Sequence, residues 1–297
     1  MLPTFKNQKL QTRFEEDGFV KLKLLDEKAV KRLRDFYTTV QAEHEAAIND
    51  ASLYSSVETG NREILVSTDS LVKEVILNEV EKHLTNYQTL ISNYLIKNSG
   101  DKTELMPHQD LLFVDESKGC SFNVWIPLQK TDTKSGNLRV LKGSHKIQPT
   151  MRVSPFYPWP FSKLTETIRG LCTEIETEPG ECVILNHAVI HGSSENQTGQ
   201  PRVAVILGMC TKGCDIYYHY MPDGNPANRI EKYLMEPDMY YDLQANGKPN
   251  RGKLVEYISH NFEPVKMETF KKWIRKDNHF NLWDKARLLY FDSLKSN

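Results

Sequence analysis

The sequence has no long hydrophobic run and no excess of charge of one sign. Its apolar stretches, such as residues 203–207, are far shorter than the roughly 18 residues that a membrane-spanning helix needs. The chain carries 38 basic and 39 acidic side chains, a formal net charge of −1, so its charge does not favour nucleic acid as the main partner. We therefore expect neither a membrane nor a nucleic-acid partner.

The sequence lacks a recognisable pattern of paired cysteines, and its N-terminus lacks the features of a secretion signal. The five cysteines are an odd number without a CxxC pair, which argues against a disulfide framework. Residues 1–7 contain no apolar core and no small-residue cleavage site. These features predict a cytoplasmic protein.

The rest of the composition is that of an ordinary globular protein. The 297 residues are 39% hydrophobic and 26% charged, which is enough for a buried core and too apolar for a disordered chain. Without an internal repeat or a linker, we expect one domain over residues 1–297. Its predicted parts are a helical region over about 1–90, a β-rich core over about 90–215 and a helical region over about 216–297.

The hydrophobic pattern of the N-terminal third predicts helices around one strand. Residues 19–25 alternate between apolar and charged side chains, as a half-buried strand does. Asp26 is suited to cap a helix that runs to about Asn49. Residues 71–95 predict a second long helix that passes into a strand near Tyr94.

The middle of the chain changes to short apolar runs separated by Gly and Pro. The runs occupy residues 122–128, 138–141, 182–185 and 202–207. Many short strands with regular turn signals predict a sandwich, a barrel or a jelly roll. A loop rich in Pro and aromatic residues, 154–161, is either a lid over a substrate or a packed surface loop.

His108-Gln-Asp110 is the first candidate for chemistry. On a strand, residues i and i+2 point to the same face with α-carbons about 6.6 Å apart. The imidazole and the carboxylate would then suit two neighbouring positions on one metal ion. The tripeptide alone is common, so a role without metal stays open.

Two histidines four residues apart, His187 and His191, form the second candidate. On a helix both could bind one ion, but the β-branched residues between them and Gly192 after them favour a strand. Four strand residues span about 13 Å, so at most one of the two histidines should be a ligand. The alternative is that His187 has no metal role.

Arg202 opens the most pronounced strand pattern in the chain. A guanidinium that points inward needs a partner, and the carboxylate of a ligand would fit as well as an ion pair within the protein. One carboxylate and two histidines form the facial triad of non-haem Fe(II) oxygenases, which leaves three positions open. A 2-oxo acid and dioxygen can occupy these positions, and Arg202 could bind the far carboxylate of the 2-oxo acid.

With these motifs in order, the sequence resembles the phytanoyl-CoA dioxygenase family of Fe(II)/2-oxoglutarate-dependent oxygenases. The resemblance covers about residues 12–210. It rests on Phe-Glu-Glu-Asp-Gly-Phe-Val at 14–20, Pro-His-Gln-Asp at 107–110, Trp-Ile-Pro-Leu at 125–128, Ser-Gly-Asn-Leu-Arg-Val-Leu-Lys-Gly-Ser-His-Lys at 135–146, Pro-Gly-Glu at 179–181, and His191-Gly, Asn196 and Arg202. It implies a mainly β fold, a double-stranded β-helix (jelly roll, cupin-like), with flanking helices.

The resemblance also implies the catalytic centre. His108, Asp110 and His191 would bind Fe(II), and Arg202 would bind the distal carboxylate of the co-substrate 2-oxoglutarate. Halogenases of related sequence replace the carboxylate by a small residue. Because Asp110 is present, we expect hydroxylation or a related oxidation.

Two further positions follow from the resemblance. Trp125 matches a residue that lines the co-substrate pocket, with ordinary core packing as the alternative. Tyr94 is the nearest candidate for a residue that contacts 2-oxoglutarate from the strand before the His-Gln-Asp motif.

The expected reaction is oxidation of an unactivated C–H bond by dioxygen, with release of succinate and CO2. No compact basic cluster suggests a site for the phosphates of coenzyme A, which favours a small polar metabolite or a natural-product intermediate as the substrate. Two alternatives stay open: a divalent-metal hydrolase or isomerase, and a non-catalytic binder of small molecules. The sequence predicts no oligomeric state.

Overall fold

The computed structural model describes residues 2–147, 150–154, 159–222, 229–243 and 247–276. Within these ranges the α-helices are α1 Gln8–Asp17, α2 Glu27–Asp50, α3 Arg62–His83, α4 Thr165–Leu171 and α5 Met267–Lys276. The strands are β1 Phe19–Lys23, β2 Leu53–Ser55, β3 Tyr87–Lys97, β4 Leu105–His108, β5 Ser121–Pro127, β6 Leu138–Val140, β7 Thr173–Ile175, β8 Glu181–Asn186, β9 His191–Ser193, β10 Arg202–Thr211, β11 Ile216–Tyr220, β12 Arg229–Met235 and β13 Lys253–Ser259.

A six-stranded antiparallel sheet in the order β1-β8-β5-β10-β3-β2 forms the larger layer. Alternate residues of each strand point to opposite faces. On β5, Phe122, Val124 and Ile126 join a core with residues of helices α1, α2 and α3. Helices therefore cover this face, and the intervening residues Asn123 and Trp125 belong to the other face.

The second layer is a four-stranded antiparallel sheet in the order β4-β9-β6-β7. Leu138 and Val140 of this sheet pack with Trp125, Val183 and Leu185 of the larger one. The two sheets thus face each other around an apolar core, which is the predicted jelly roll.

Local capping explains the first helix and its abrupt end. The Asn7 side chain accepts hydrogen bonds from the first-turn amides of α1. Gly18 ends the helix with φ of 82°, and a Cβ there would lie 2.0 Å from Val189 Cγ2. Only glycine fits this close approach, which brings the end of α1 against the turn after β8. Asp26 caps α2, as the sequence predicts.

The prediction of a helix over residues 71–95 is wrong from residue 84 onward. Helix α3 ends at His83, and the strand β3 begins at Tyr87. The sequence of β3, Tyr-Gln-Thr-Leu-Ile-Ser-Asn-Tyr-Leu-Ile-Lys, is rich in β-branched and aromatic residues that favour a strand between two neighbours.

The predicted C-terminal helical region, about 216–297, contains a sheet that the sequence did not predict, beside the helical segments that the structure describes. Strands β11, β12 and β13 form an antiparallel three-stranded sheet, and only α5 is an α-helix after residue 216 in the described part. The strands are short and rich in polar residues, and they satisfy each other's backbone groups. Residues 277–297, and residues 155–158 of the predicted lid, lie outside the described ranges.

Among the described helices, none is both long enough and apolar enough to cross a bilayer. That the whole chain is one domain stays a prediction.

Candidate metal centre and the cavities beside it

Three potential metal ligands lie close together at one end of the antiparallel pair β4 and β9. Strand β4 ends there, and strand β9 begins there. His108 lies directly opposite His191 in this antiparallel pair, and their ring centroids are 4.4 Å apart. The Nε2 atoms of His108 and His191 lie 3.9 Å and 3.8 Å from Oδ1 of Asp110. One ligand atom from each residue falls within 4.8 Å of the others, close enough for all three to bind one ion.

Backbone carbonyls fix the orientation of both imidazoles. His108 Nδ1 donates to the carbonyl of Met106 at 2.9 Å, and His191 Nδ1 donates to that of Val189 at 3.0 Å. Because a carbonyl can only accept, the proton is on Nδ1, and Nε2 presents its lone pair toward Asp110. Both rings therefore present Nε2 to the same carboxylate oxygen, as ligands of one ion would.

The second oxygen of Asp110 is held away from His108 and His191. Its Oδ2 accepts a hydrogen bond from Asn123 Nδ2 at 3.0 Å, and His187 Nε2 lies 4.0 Å from it. Sequence reasoning missed Asn123. The available signal was its position two residues before Trp125 on the same face of β5.

His187 comes close to Asp110 because the chain turns after β8 instead of continuing as a strand. Residues 187–189 form a turn or bend, so the estimate of 13 Å between His187 and His191 does not apply. His187 Nδ1 is 2.9 Å from Ser121 Oγ, and the His187 side chain is outside the three-residue ligand group.

Burial and neighbouring charges set the protonation of this group. Burial, reinforced by His191, lowers the pKa of His108 to about 4. Burial alone would raise the pKa of Asp110, but the imidazoles of His191, His187 and His108 hold it below the ordinary value. At neutral pH the His108 imidazole is therefore neutral and the Asp110 carboxylate is anionic, as metal binding requires.

Arg202 is a buried cation with unused hydrogen-bond donors. Its side chain is 1% exposed, and its Nε and Nη1 have no hydrogen-bond partner among the residues described. Its Cζ lies 5.3 Å from the centroid of the Trp125 ring. Burial lowers the pKa of Arg202 to about 10, which still leaves it charged at neutral pH. A charge buried in this way calls for an anionic ligand.

Lys97, opposite Arg202 in the β3–β10 pair, is a second buried cation that sequence reasoning missed. Its Nζ donates to the carbonyls of Thr103 and Ser194. Burial and the charge of Arg202 lower the pKa of Lys97 to about 7. Since backbone carbonyls occupy the donors of Lys97, Arg202 is the one of these two basic residues that has donors left for a ligand.

One cavity of about 260 Å³ connects the ligand group with Arg202. Its walls include His108, Asp110, His191, Trp125 and Arg202. A small dianion inside it can therefore reach the ligand group at one end and the guanidinium at the other.

Tyr94 is the one predicted site residue that points elsewhere. Its hydroxyl donates to the carbonyl of Leu33 at 2.7 Å, and its ring packs against Phe36 and Tyr37 on the helix-covered face. The neighbouring residues Asn93 and Leu95 line the cavity instead. The prediction is wrong by one residue, which on a strand means the opposite face.

Comparison with known families gives a match over most of the jelly roll. The model of the family described as phytanoyl-CoA dioxygenase matches residues 14–204. A relative from Oryza sativa subsp. japonica, phytanoyl-CoA dioxygenase 1, is 28% identical over 132 residues. The aligned segment covers 42% of this chain and 45% of the relative, so less than half of the relative's length is matched.

Three solved structures share the fold at low identity. HygX from Streptomyces hygroscopicus, with nickel and 2-oxoglutarate bound, has a TM-score of 0.51 and 12% identity, over 70% of this chain and 87% of its own. The carbocyclase SnoK from nogalamycin biosynthesis has a TM-score of 0.52 and 16% identity, over 73% and 89%. The epimerase SnoN, in complex with Fe3+, alpha ketoglutarate and nogalamycin RO, has a TM-score of 0.50 and 15% identity, over 84% and 95%.

Proposed function

Because the chain belongs to the phytanoyl-CoA dioxygenase family, we propose that it is an iron(II)- and 2-oxoglutarate-dependent dioxygenase that hydroxylates a small-molecule substrate. The observation that carries the proposal is a single cavity with the His108, Asp110 and His191 group at one end and the guanidinium of Arg202 at the other. Nε and Nη1 of this guanidinium have no hydrogen-bond partner among the residues that the structure describes. Metal and 2-oxoglutarate in HygX and SnoN, which have the same fold, support this pairing of ligands.

The residues fit the proposed cofactors by their chemistry. In the proposal, His108, Asp110 and His191 bind iron(II) through two imidazole nitrogens and one carboxylate oxygen, which is the donor set of non-haem iron oxygenases. Three protein ligands leave positions for the co-substrate and dioxygen. Arg202 binds the far carboxylate of 2-oxoglutarate, and Trp125 lines the space between.

When bound there, iron(II) and 2-oxoglutarate supply the oxidation: dioxygen converts 2-oxoglutarate to succinate and CO2, and its second oxygen atom enters a substrate C–H bond. The protein's own part is to orient and enclose. Carbonyls of Met106 and Val189 hold the imidazoles, and Asn123 holds Asp110. Walls such as Leu105 and Leu185 limit water in the cavity, which strengthens the contact between Arg202 and a carboxylate.

Of the possible oxidations, hydroxylation needs only iron(II), 2-oxoglutarate, dioxygen and a substrate C–H bond. The names of SnoK and SnoN, carbocyclase and epimerase, indicate that the same fold supports other outcomes of related chemistry. We infer hydroxylation for this chain, with dioxygen as co-substrate.

The test is succinate formation by the purified full-length protein supplied with iron(II), 2-oxoglutarate and dioxygen. We expect slow formation of succinate even without a second substrate, lost when any of the three is omitted. His191→Ala should abolish it, because the ion loses one of three protein ligands. His83→Ala, at the end of α3 and away from the cavity, is the control and should keep wild-type activity. Wild-type succinate formation no greater than that of His191→Ala would refute the proposal.

A further inference from the structure

We propose that the substrate is an uncharged or cationic, largely apolar ring compound that occupies a second cavity beside the candidate metal group. This proposal assumes the oxidation described under the proposed function. The substrate class itself is inferred from the walls of the second cavity.

The second cavity has a volume of about 300 Å³ and adjoins the first. Both cavities are lined by Asn93, Asp110, Asn123 and Ile206. A molecule in the second cavity therefore contacts the side chain of a proposed iron ligand, which is the position that a substrate needs. The volume equals that of roughly ten water molecules in the liquid, enough for a bicyclic ring system.

Apolar and aromatic side chains from five parts of the fold form most of the wall. They are Leu90, Ile91, Phe113, Ile206, Tyr218 and Tyr240. Apolar surface of this extent favours a ligand that buries hydrocarbon, at about 25 cal/mol for each Å² removed from water.

The described walls of the cavity carry no basic side chain that could pair with an acidic substrate. Among its described wall residues there is no lysine or arginine, and the only charged side chains are Asp110 and Glu58. A carboxylate or phosphate group bound here would lose its hydration without gaining a cation. The described wall residues therefore disfavour an acidic headgroup in the part of this cavity that lies away from the metal group.

The polar wall residues have already used most of their donors. Asn123 donates to Asp110, and Asn93 donates to Ser55 Oγ at 2.8 Å. The hydroxyls of Tyr240 and Tyr218 donate to backbone carbonyls at 3.2 Å. The hydroxyl oxygens of a substrate with many hydroxyl groups would find few hydrogen-bond donors in this wall. The small polar metabolite favoured by the sequence therefore fits poorly.

Glu58 gives the cavity its preference for positive charge. Glu58 is exposed overall, but partial burial of its carboxyl group raises the pKa of that group above the ordinary value. An ammonium group on the substrate would stabilise the carboxylate there, whereas a second carboxylate would repel it.

The experiment compares three probes that share one bicyclic ring and differ in charge: 2-tetralol, 2-aminotetralin and tetralin-2-carboxylic acid. Their dissociation constants are measured by anaerobic calorimetry on the full-length protein, both metal-free and loaded with iron(II) and 2-oxoglutarate. We expect the alcohol and the amine to bind at least tenfold more tightly than the acid. Equal or tighter binding of the acid, or no binding of any probe, would overturn the proposal.

Two variants locate the binding in this cavity. Ile91→Trp fills the cavity and should weaken all three probes at least tenfold, whereas Val255→Trp on the exposed strand β13 should change none of them. Glu58→Lys, at the rim, should reverse the preference between amine and acid and leave the alcohol unchanged. Unchanged binding in both Ile91→Trp and Glu58→Lys would contradict the assignment.

The outcome is separable from that of the proposed function. If the protein binds the alcohol and the amine selectively but never forms succinate, the proposed function is refuted and the assignment of the cavity is supported. Succinate formation without the expected charge preference would do the reverse.

Discussion

At the residue scale, hydrogen bonds occupy one side-chain atom of each proposed ligand and leave a second atom available to bind an ion. Nδ1 of His108 and of His191 is bonded to the backbone, and Oδ2 of Asp110 is bonded to Asn123. The atoms that remain, two Nε2 and Oδ1, face one another. Partners of this kind orient metal ligands and raise the affinity for the ion.

Asn123→Ala tests this account of Asp110. Without the amide, Oδ2 loses its hydrogen bond and the carboxylate can rotate, so we expect the dissociation constant for iron(II) to rise about tenfold or more. The measurement is anaerobic calorimetric titration of the metal-free protein with iron(II).

Asn61→Ala separates metal affinity from general stability. Asn61 caps the start of α3, and its loss should lower the melting temperature while leaving iron affinity unchanged. If Asn123→Ala binds iron as tightly as the wild type, Asn123 does not position Asp110.

At the element scale, the alternation of side chains along β3, β5 and β10 decides which residues can meet a ligand. On β10 the residues Val203 and Val205 pack against the helices, and Arg202 and Ile206 line the cavity. Register is therefore as important as the presence of a strand.

A pair of neighbouring substitutions on β3 tests this register. Tyr94→Phe removes the bond to Leu33, which should lower the free energy of unfolding by about 1 kcal/mol and leave the KM for 2-oxoglutarate unchanged. Asn93→Ala changes the cavity wall and should alter that KM severalfold. Urea unfolding and initial rates of succinate formation measure the two effects, and the opposite assignment of effects would contradict the register.

The sequence predicts the elements of the jelly roll better than their details. Strands β5, β6, β8 and β10 are recognisable as apolar runs between turns, and the His-Gln-Asp motif with His191 is recognisable by its spacing. The face of β3 on which Tyr94 lies cannot be recognised from the sequence, because an apolar run does not show where alternation between the two faces starts. The turn after β8 was not predicted either, because the residue against which it packs closely, Gly18, is distant in sequence.

At the scale of the whole molecule, helices cover one face of the larger sheet, and the cavities lie on its other face. Three of the described histidines, His187, His191 and His219, are buried. His219, on β11, is 5% exposed and donates through Nδ1 to the carbonyl of Leu112, and burial lowers its pKa to about 4.

This buried histidine makes stability depend on pH. Between pH 6.5 and about 4 the unfolded chain binds a proton at His219 that the folded chain does not, so the folded state loses stability as the pH falls through this window. Replacing His219 by Gln, which can still donate to Leu112, should reduce the slope by up to about 1.4 kcal/mol per pH unit. Urea unfolding of the metal-free protein at several pH values measures the slope. An unchanged slope in His219→Gln would show that this histidine titrates alike in both states.

The most direct test of the proposed function is anaerobic titration of the purified protein with iron(II) and then 2-oxoglutarate, followed by visible absorption. We expect a metal-to-ligand charge-transfer band that needs both additions and is absent in His108→Ala, because the co-substrate chelates the ion only where the protein holds it. A metal-loaded protein without the band would contradict the assignment of His108, Asp110, His191 and Arg202.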